Sequence, residues 1–151
     1  MKYINNNFFV EKVSSERLAK KFDTPLYCYS YEKLKKNINN FILNFSKLSP
    51  LICFAIKSNS NLNIIREIKK FGLGADVVSK GELMQAIKAG ISPTKIVFSG
   101  VGKTSEEINF AIEKKILLIN AESKSEIEEI NKIAKQKKKV VHVGIRLNPN
   151  T

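Results

Sequence analysis

The 151 residues, 43% of them hydrophobic, are enough for one domain with a buried core, and no run approaches the roughly 18 apolar residues of a membrane span. A formal charge of +12 suggests nucleic acid, but a binder gathers its basic residues on one face, and here the lysines are spread along the whole chain. The charge therefore speaks for non-specific attraction, and neither a specific nucleic-acid partner nor a membrane is expected.

The start, MKYINNNFFVEKV, has a short apolar patch but lacks the long apolar region and small-residue cleavage site of a secretory signal. Tyr31, Leu34, Ile38, Phe41, Ile42 and Phe45 then fall on one helical stripe. Strands are predicted over Leu51 to Lys57, Gly74 to Ser79, Lys95 to Gly100, Leu117 to Ala121 and Val140 to Leu147. Between them, Ile64, Ile65, Ile68 and Phe71 form a second stripe, and Ile127, Ile130, Ile133 and Ala134 a later one. Ser79-Lys80-Gly81-Glu82, Thr104-Ser105-Glu106-Glu107 and Ser123-Lys124-Ser125-Glu126 have capping-box spacing, in which hydroxyl and carboxylate satisfy orphan amides reciprocally. Gly72 and Gly90 stand where helices end. The run Lys135-Gln136-Lys137-Lys138-Lys139 closes the last helix, which opens with Glu126, Glu128 and Glu129, so both ends complement its dipole.

Alternating strands and helices imply an α/β fold with a parallel sheet, either doubly wound and open or closed as a (β/α)8 TIM-type barrel. No GxGxxG follows the first strand, which weakens the dinucleotide-binding version. Eight units need about 200 residues or more. Four units and a fifth strand are present before Asn148-Pro149-Asn150-Thr151, so only about the first half of a barrel is expected here, as part of a larger protein.

The stretch LICFAIKSNSN runs an apolar strand into a lysine. By alternation, Ile52, Phe54 and Ile56 face the covering helices, while Leu51, Cys53, Ala55 and Lys57 face inward. Lys57 would then be the last inward residue at the carboxyl end, where barrel active sites are built. An amine partly withdrawn from water has its neutral form favoured and can hold an aldehyde as an imine. A lysine snorkelling to solvent satisfies the same pattern.

Arg146 lies near the carboxyl end of the fifth strand and suits either an anion or a surface ion pair. Asp76, in GADVVS, suits either a structural hydrogen bond or catalysis. Gly102-Lys103-Thr104 mimics a phosphate-binding loop, but the place five before Gly102 holds Val97 rather than glycine, so nucleotide binding is not expected. His142 is the only histidine, and no metal is expected. Cys28 and Cys53 read as free thiols of a reducing cytoplasm.

FAIKSNSN, GADVVSKGEL, KIVFSGVGKT and RLNPNT, in this order and spacing, resemble the diaminopimelate decarboxylases from about Leu26 to Thr151. The lysine segment alone is similar also to ornithine, arginine and carboxynorspermidine decarboxylases and, loosely, to alanine racemases. The one departure is Ser58, where the family has alanine after the lysine.

The resemblance implies a pyridoxal 5'-phosphate enzyme with Lys57 as the catalytic, imine-forming residue, and with Asp76 and Arg146 beside the cofactor. It implies decarboxylation of meso-2,6-diaminopimelate to L-lysine, the final step of lysine biosynthesis, in a cytoplasmic homodimer. Residues 30–151 would be the partial cofactor-binding barrel. Residues 1–29, with a strand over Leu26 to Ser30, would associate with a C-terminal β-domain beyond Thr151. The phosphate loop, ring-nitrogen acid and substrate-reading residues would also lie beyond Thr151, leaving these 151 residues inactive alone. The alternatives are a polyamine-type decarboxylase on the same scaffold, a barrel without catalysis, or a charge-driven nucleic-acid binder.

Overall fold

A computed structural model describes residues 1–149; Asn150 and Thr151, which close the RLNPNT segment, lie outside the described residues. The chain divides into two compact units, Met1–Pro50 and Leu51–Thr151.

The first unit opens with a hairpin of β1 (Lys2–Ile4) and β2 (Asn7–Val10). Asn5 and Asn6 form its two-residue turn with φ of 46° and 60°. Positive φ at both positions matches the twist of the flanking strands, and asparagine tolerates it better than most residues. Tyr3 pairs with Phe8 across the ladder, their ring centroids 5.1 Å apart. The short β3 (Val13–Ser14) extends the sheet, and Ser14 caps α1 (Ser15–Phe22) by accepting the Arg17 amide at 3.3 Å. Beyond its apolar patch, the signal of this hairpin in the sequence is the run of three asparagines, Asn5 to Asn7.

Ser30 caps α2 (Tyr31–Asn44), accepting the Lys33 amide at 3.1 Å. Its hydroxyl donates to Glu11 Oε1, which also takes the Glu32 amide, both at 2.9 Å. These donors, the Glu32 amide foremost, hold the Glu11 carboxyl below its usual range. The strand expected over Leu26 to Ser30 does not form. An extended segment becomes a strand only where a neighbour takes up its backbone groups, and this unit's sheet contains only β1, β2 and β3.

The second unit runs β4 (Cys53–Ala55), α3 (Leu62–Lys70), β5 (Gly74–Val77), α4 (Lys80–Lys88), β6 (Ile96–Phe98), α5 (Ser105–Lys114), β7 (Leu118–Ala121), α6 (Lys124–Gln136) and β8 (Val143–Ile145). All five expected strands are present, each shorter than predicted. After Ala55, which pairs with Asp76, the chain leaves the ladder for a 3-10 turn over Ile56–Ser58, held by the Ser58 hydroxyl on Ala55 O at 2.7 Å. The strands lie parallel in sequential order, β4 to β8. A doubly wound sheet reverses order at a switch point, so the progression here is that of a barrel wall.

Alternation decides the core. Ile56, Ala75, Val77, Ile96, Phe98, Ile119 and Ala121 are at most 1% exposed and join Ile65, Leu83, Ala86, Ile108, Ala111 and Ile130 of the helices in one cluster. Each large side chain buried there contributes about 1.5–3 kcal/mol. The other sheet face carries Asp76, Ser99, Asn120 and Glu122. Gly72 and Gly90 end their helices with φ of 78° and 91°, as expected.

Of the three capping-box candidates, only Thr104 with Glu107 is reciprocal: the Glu107 amide donates to Thr104 Oγ1 at 3.2 Å and the Thr104 amide to Glu107 Oε2 at 3.0 Å. Ser79 and Ser123 accept as predicted, but their partners Glu82 and Glu126 reach one residue further, to the amides of Val78 and Glu122. Glu107 Oε1 also takes the Lys80 amide at 2.9 Å, tying the start of α4 to that of α5. The Lys80 and Thr104 amides hold the Glu107 carboxyl below the usual range.

A lowered folded value contributes stability that is complete above the unfolded carboxyl's titration and is lost as pH falls through the folded one. Glu107→Gln should therefore cost about 1 kcal/mol at pH 7, discounted for solvent screening. The gap to wild type should close below about pH 4 in urea denaturation. A gap that persists in acid would contradict this.

Candidate functional site

The carboxyl ends of the five strands converge on one concavity of about 380 Å³. Each strand end supplies a polar group: Lys57 after β4, Asp76 within β5, Ser99 after β6, Asn120 and Glu122 at the end of β7, and Arg146 after β8. A larger hollow of about 1470 Å³ lies in the first unit. No parallel strand ends meet there, and its Glu11 carboxylate is already taken by Ser30 and Glu32.

The three residues singled out from sequence line the same concavity, each with a difference. Lys57 sits on the 3-10 turn rather than at the end of a strand, because the ladder stops at Ala55. It is exposed, with no hydrogen bond or ion pair among the described residues, so the expected withdrawal of its amine from water is not seen. The inner face of a five-stranded wall is open to solvent.

Asp76 is next to last in its strand, because β5 ends at Val77 rather than at Ser79. Its Oδ1 accepts the Ser99 hydroxyl at 2.6 Å, and Ser99 Oγ accepts Asn120 Nδ2 at 3.0 Å. Arg146 continues the β8 register by donating its amide to Ala121 O at 3.0 Å. Its guanidinium lies 3.4 Å from Glu122 Oε1, with Nε 3.3 Å from Asn148 Oδ1, while the side chain stays half exposed. Arg146 thus makes the ion pair of one alternative and also lines the concavity.

Ser99, Asn120 and Glu122 were missed. Their signal is period-two spacing: in LINAE the polar Asn120 and Glu122 alternate with the buried Ile119 and Ala121, so they must lie on the inner face.

Lys103 of the phosphate-loop mimic has a different purpose. Its side chain is 1% exposed and its ammonium donates to Gly100 O at 2.7 Å, Asn120 O at 2.6 Å and Glu126 Oε2 at 3.2 Å. The same nitrogen lies 5.6 Å from the centre of the Phe98 ring. With every donor used internally, it joins the loop after β6 to β7 and to the first turn of α6.

Cys53 is half-buried on β4, its thiol pushed up by burial and then by the Asp76 charge. His142 is exposed, and no cluster of three or more potential metal ligands occurs among the described residues. No helix among them is long and apolar enough to cross a membrane.

Residues 31–151 match the family model described as pyridoxal-dependent decarboxylase, pyridoxal binding domain. The chain belongs to the pyridoxal-dependent decarboxylases. Within this family it is 43% identical over 142 residues to the diaminopimelate decarboxylase of Neisseria meningitidis serogroup A, covering 94% of this chain and 35% of that protein. The crystal structure of diaminopimelate decarboxylase from M. jannaschii matches with a TM-score of 0.94 and 40% identity, over 99% of this chain and 36% of that one. The Helicobacter pylori diaminopimelate decarboxylase complexed with L-lysine matches with a TM-score of 0.86 and 43% identity, over 89% and 34%. This decarboxylase chain spans about a third of the length of the curated relatives it matches. The five parallel strands are thus the partial barrel expected from the sequence.

Proposed function

We propose that the complete gene product decarboxylates meso-2,6-diaminopimelate to L-lysine with pyridoxal 5'-phosphate held on Lys57. The observation that carries this reading is the convergence of an unpaired primary amine, a carboxylate and a guanidinium on one concavity at the strand ends. The identity to diaminopimelate decarboxylases, and the L-lysine in one of them, support the substrate.

The residues present fit this cofactor. A hollow of about 380 Å³ is in the size range of small-molecule sites. Among the described residues, Lys57 Nζ is the one unpaired amine lining it and would hold the aldehyde carbon. The Asp76 carboxylate would face a cationic part of a bound group, and Arg146 an anionic one. Once bound, the cofactor supplies a sink for the electrons left when carbon dioxide departs. Glu122 restrains Arg146 through its ion pair, and Ser99 restrains Asp76. A homodimer working in the cytoplasm belongs to the same proposal, as does assignment of residues 30–151 to the cofactor-binding barrel and residues 1–29 to a β-domain.

The test is borohydride reduction of the complete gene product with pyridoxal phosphate, followed by peptide mapping. Modification of Lys57 is expected, and an unmodified Lys57 ends the proposal. Carbon dioxide release is then compared on meso-diaminopimelate, ornithine and arginine; release from ornithine alone overturns the substrate.

A further inference from the structure

Asp76 does not stand alone in the site. Its Oδ1 is engaged by the Ser99 hydroxyl at 2.6 Å, the short range of a hydrogen bond to a carboxylate. Ser99 Oγ is itself an acceptor for Asn120 Nδ2, so its single proton is committed to Asp76. Asn120 is fixed in turn: Lys103 holds its backbone carbonyl, and Gly144 lies directly opposite it in the ladder. Any side chain at position 144 would collide with Asn120 Oδ1. Three neighbouring strands thus contribute to the orientation of one carboxylate.

We infer that Ser99 and Asn120 are positioning residues that hold the Asp76 carboxylate toward the Lys57 side of the concavity, with Oδ2 as the oxygen left for a group bound there. The inference rests on the role proposed for Lys57, and it concerns how the polypeptide prepares that nitrogen's surroundings. A carboxylate held in place keeps its charge directed at all times into the concavity that Lys57 also lines. One free to rotate spends part of its time hydrated and turned away, and its attraction for a positive nitrogen falls accordingly. Ser99 therefore acts only through Asp76.

The prediction is read from retention of pyridoxal phosphate by the complete gene product, measured by equilibrium dialysis. Asp76→Asn should weaken retention about tenfold and Ser99→Ala about threefold, on the scale of a lost charge neighbour and a lost orienting bond. Ser99→Thr keeps the hydroxyl and should stay within about twofold of wild type. In the Asp76→Asn background, Ser99→Ala should cause no further loss, since the charge that it orients is gone. Unchanged retention in Ser99→Ala, or an equal loss in both backgrounds, overturns the inference.

Should Ser99→Ala lower the melting temperature, Asn120→Ala carries the same test with a smaller expected loss. A crystal structure of cofactor-free Ser99→Ala separates this inference from the proposed function. An Asp76 carboxylate turned from its present orientation supports the inference even if borohydride leaves Lys57 unmodified. An unmoved carboxylate overturns it.

Discussion

On the function proposed above, Lys57→Ala in the complete gene product should lower carbon dioxide release from meso-diaminopimelate about a thousandfold, comparable to the loss of a positioned catalytic side chain. The substitution removes the one amine of the concavity that is unpaired among the described residues and leaves Asp76, Arg146 and their partners in place. Lys57→Arg should not rescue the loss, because a guanidinium stays protonated at every accessible pH and has no lone pair to offer an aldehyde. Folding should be nearly untouched, within about 0.5 kcal/mol, since Lys57 is exposed and unpaired. Matched melting curves with a collapsed rate would separate chemistry from structure; residual activity above a tenth of wild type would remove Lys57 from the reaction.

Lys103→Ala should act in the opposite way, on folding first. Removing a fully buried ammonium leaves the Glu126 carboxylate, itself 7% exposed, without its cationic partner and with the Glu122 and Lys103 amides as its remaining donors, and leaves two carbonyls without their donor. Breaking one side of a buried pair costs about 3–5 kcal/mol. For a domain of this size that is roughly 10 °C of melting temperature. Replacing both partners, Lys103→Met with Glu126→Leu, should recover a large part of it, because no charge is then left unpaired. Calorimetry checks both: a loss below about 1 kcal/mol in Lys103→Ala, or a double variant no better than the single one, would refute this account.

Much of the barrel wall was legible because its signals are local. Short β-branched runs, helical stripes and hydroxyl caps all report on neighbouring residues, and each of the five strands appeared where predicted. Strand ends were less legible: how far β4 extends depends on where β5 offers pairing partners, which is not encoded within LICFAIKSNSN. Leu26 to Ser30 failed for the same reason, since its composition suits a strand but its unit provides no ladder for it.

In the site, Lys57, Asp76 and Arg146 emerged from sequence motifs, whereas Ser99, Asn120 and Glu122 matter through partners 21 to 24 residues away in the chain. Lys103 is the sharpest case. Its GKT setting only mimics a phosphate loop and left its purpose open, since its acceptors, Asn120 O and Glu126, are brought to it by the next strand and helix.

The sequential sheet has a mechanical consequence. β6 is paired on both sides, and its Ile96 and Phe98 are fully buried. Amide protons of Ile96 to Phe98 should therefore be among the last to exchange. Ser99 follows directly on that protected strand, so the hydroxyl that engages Asp76 is carried by a part of the wall that opens rarely.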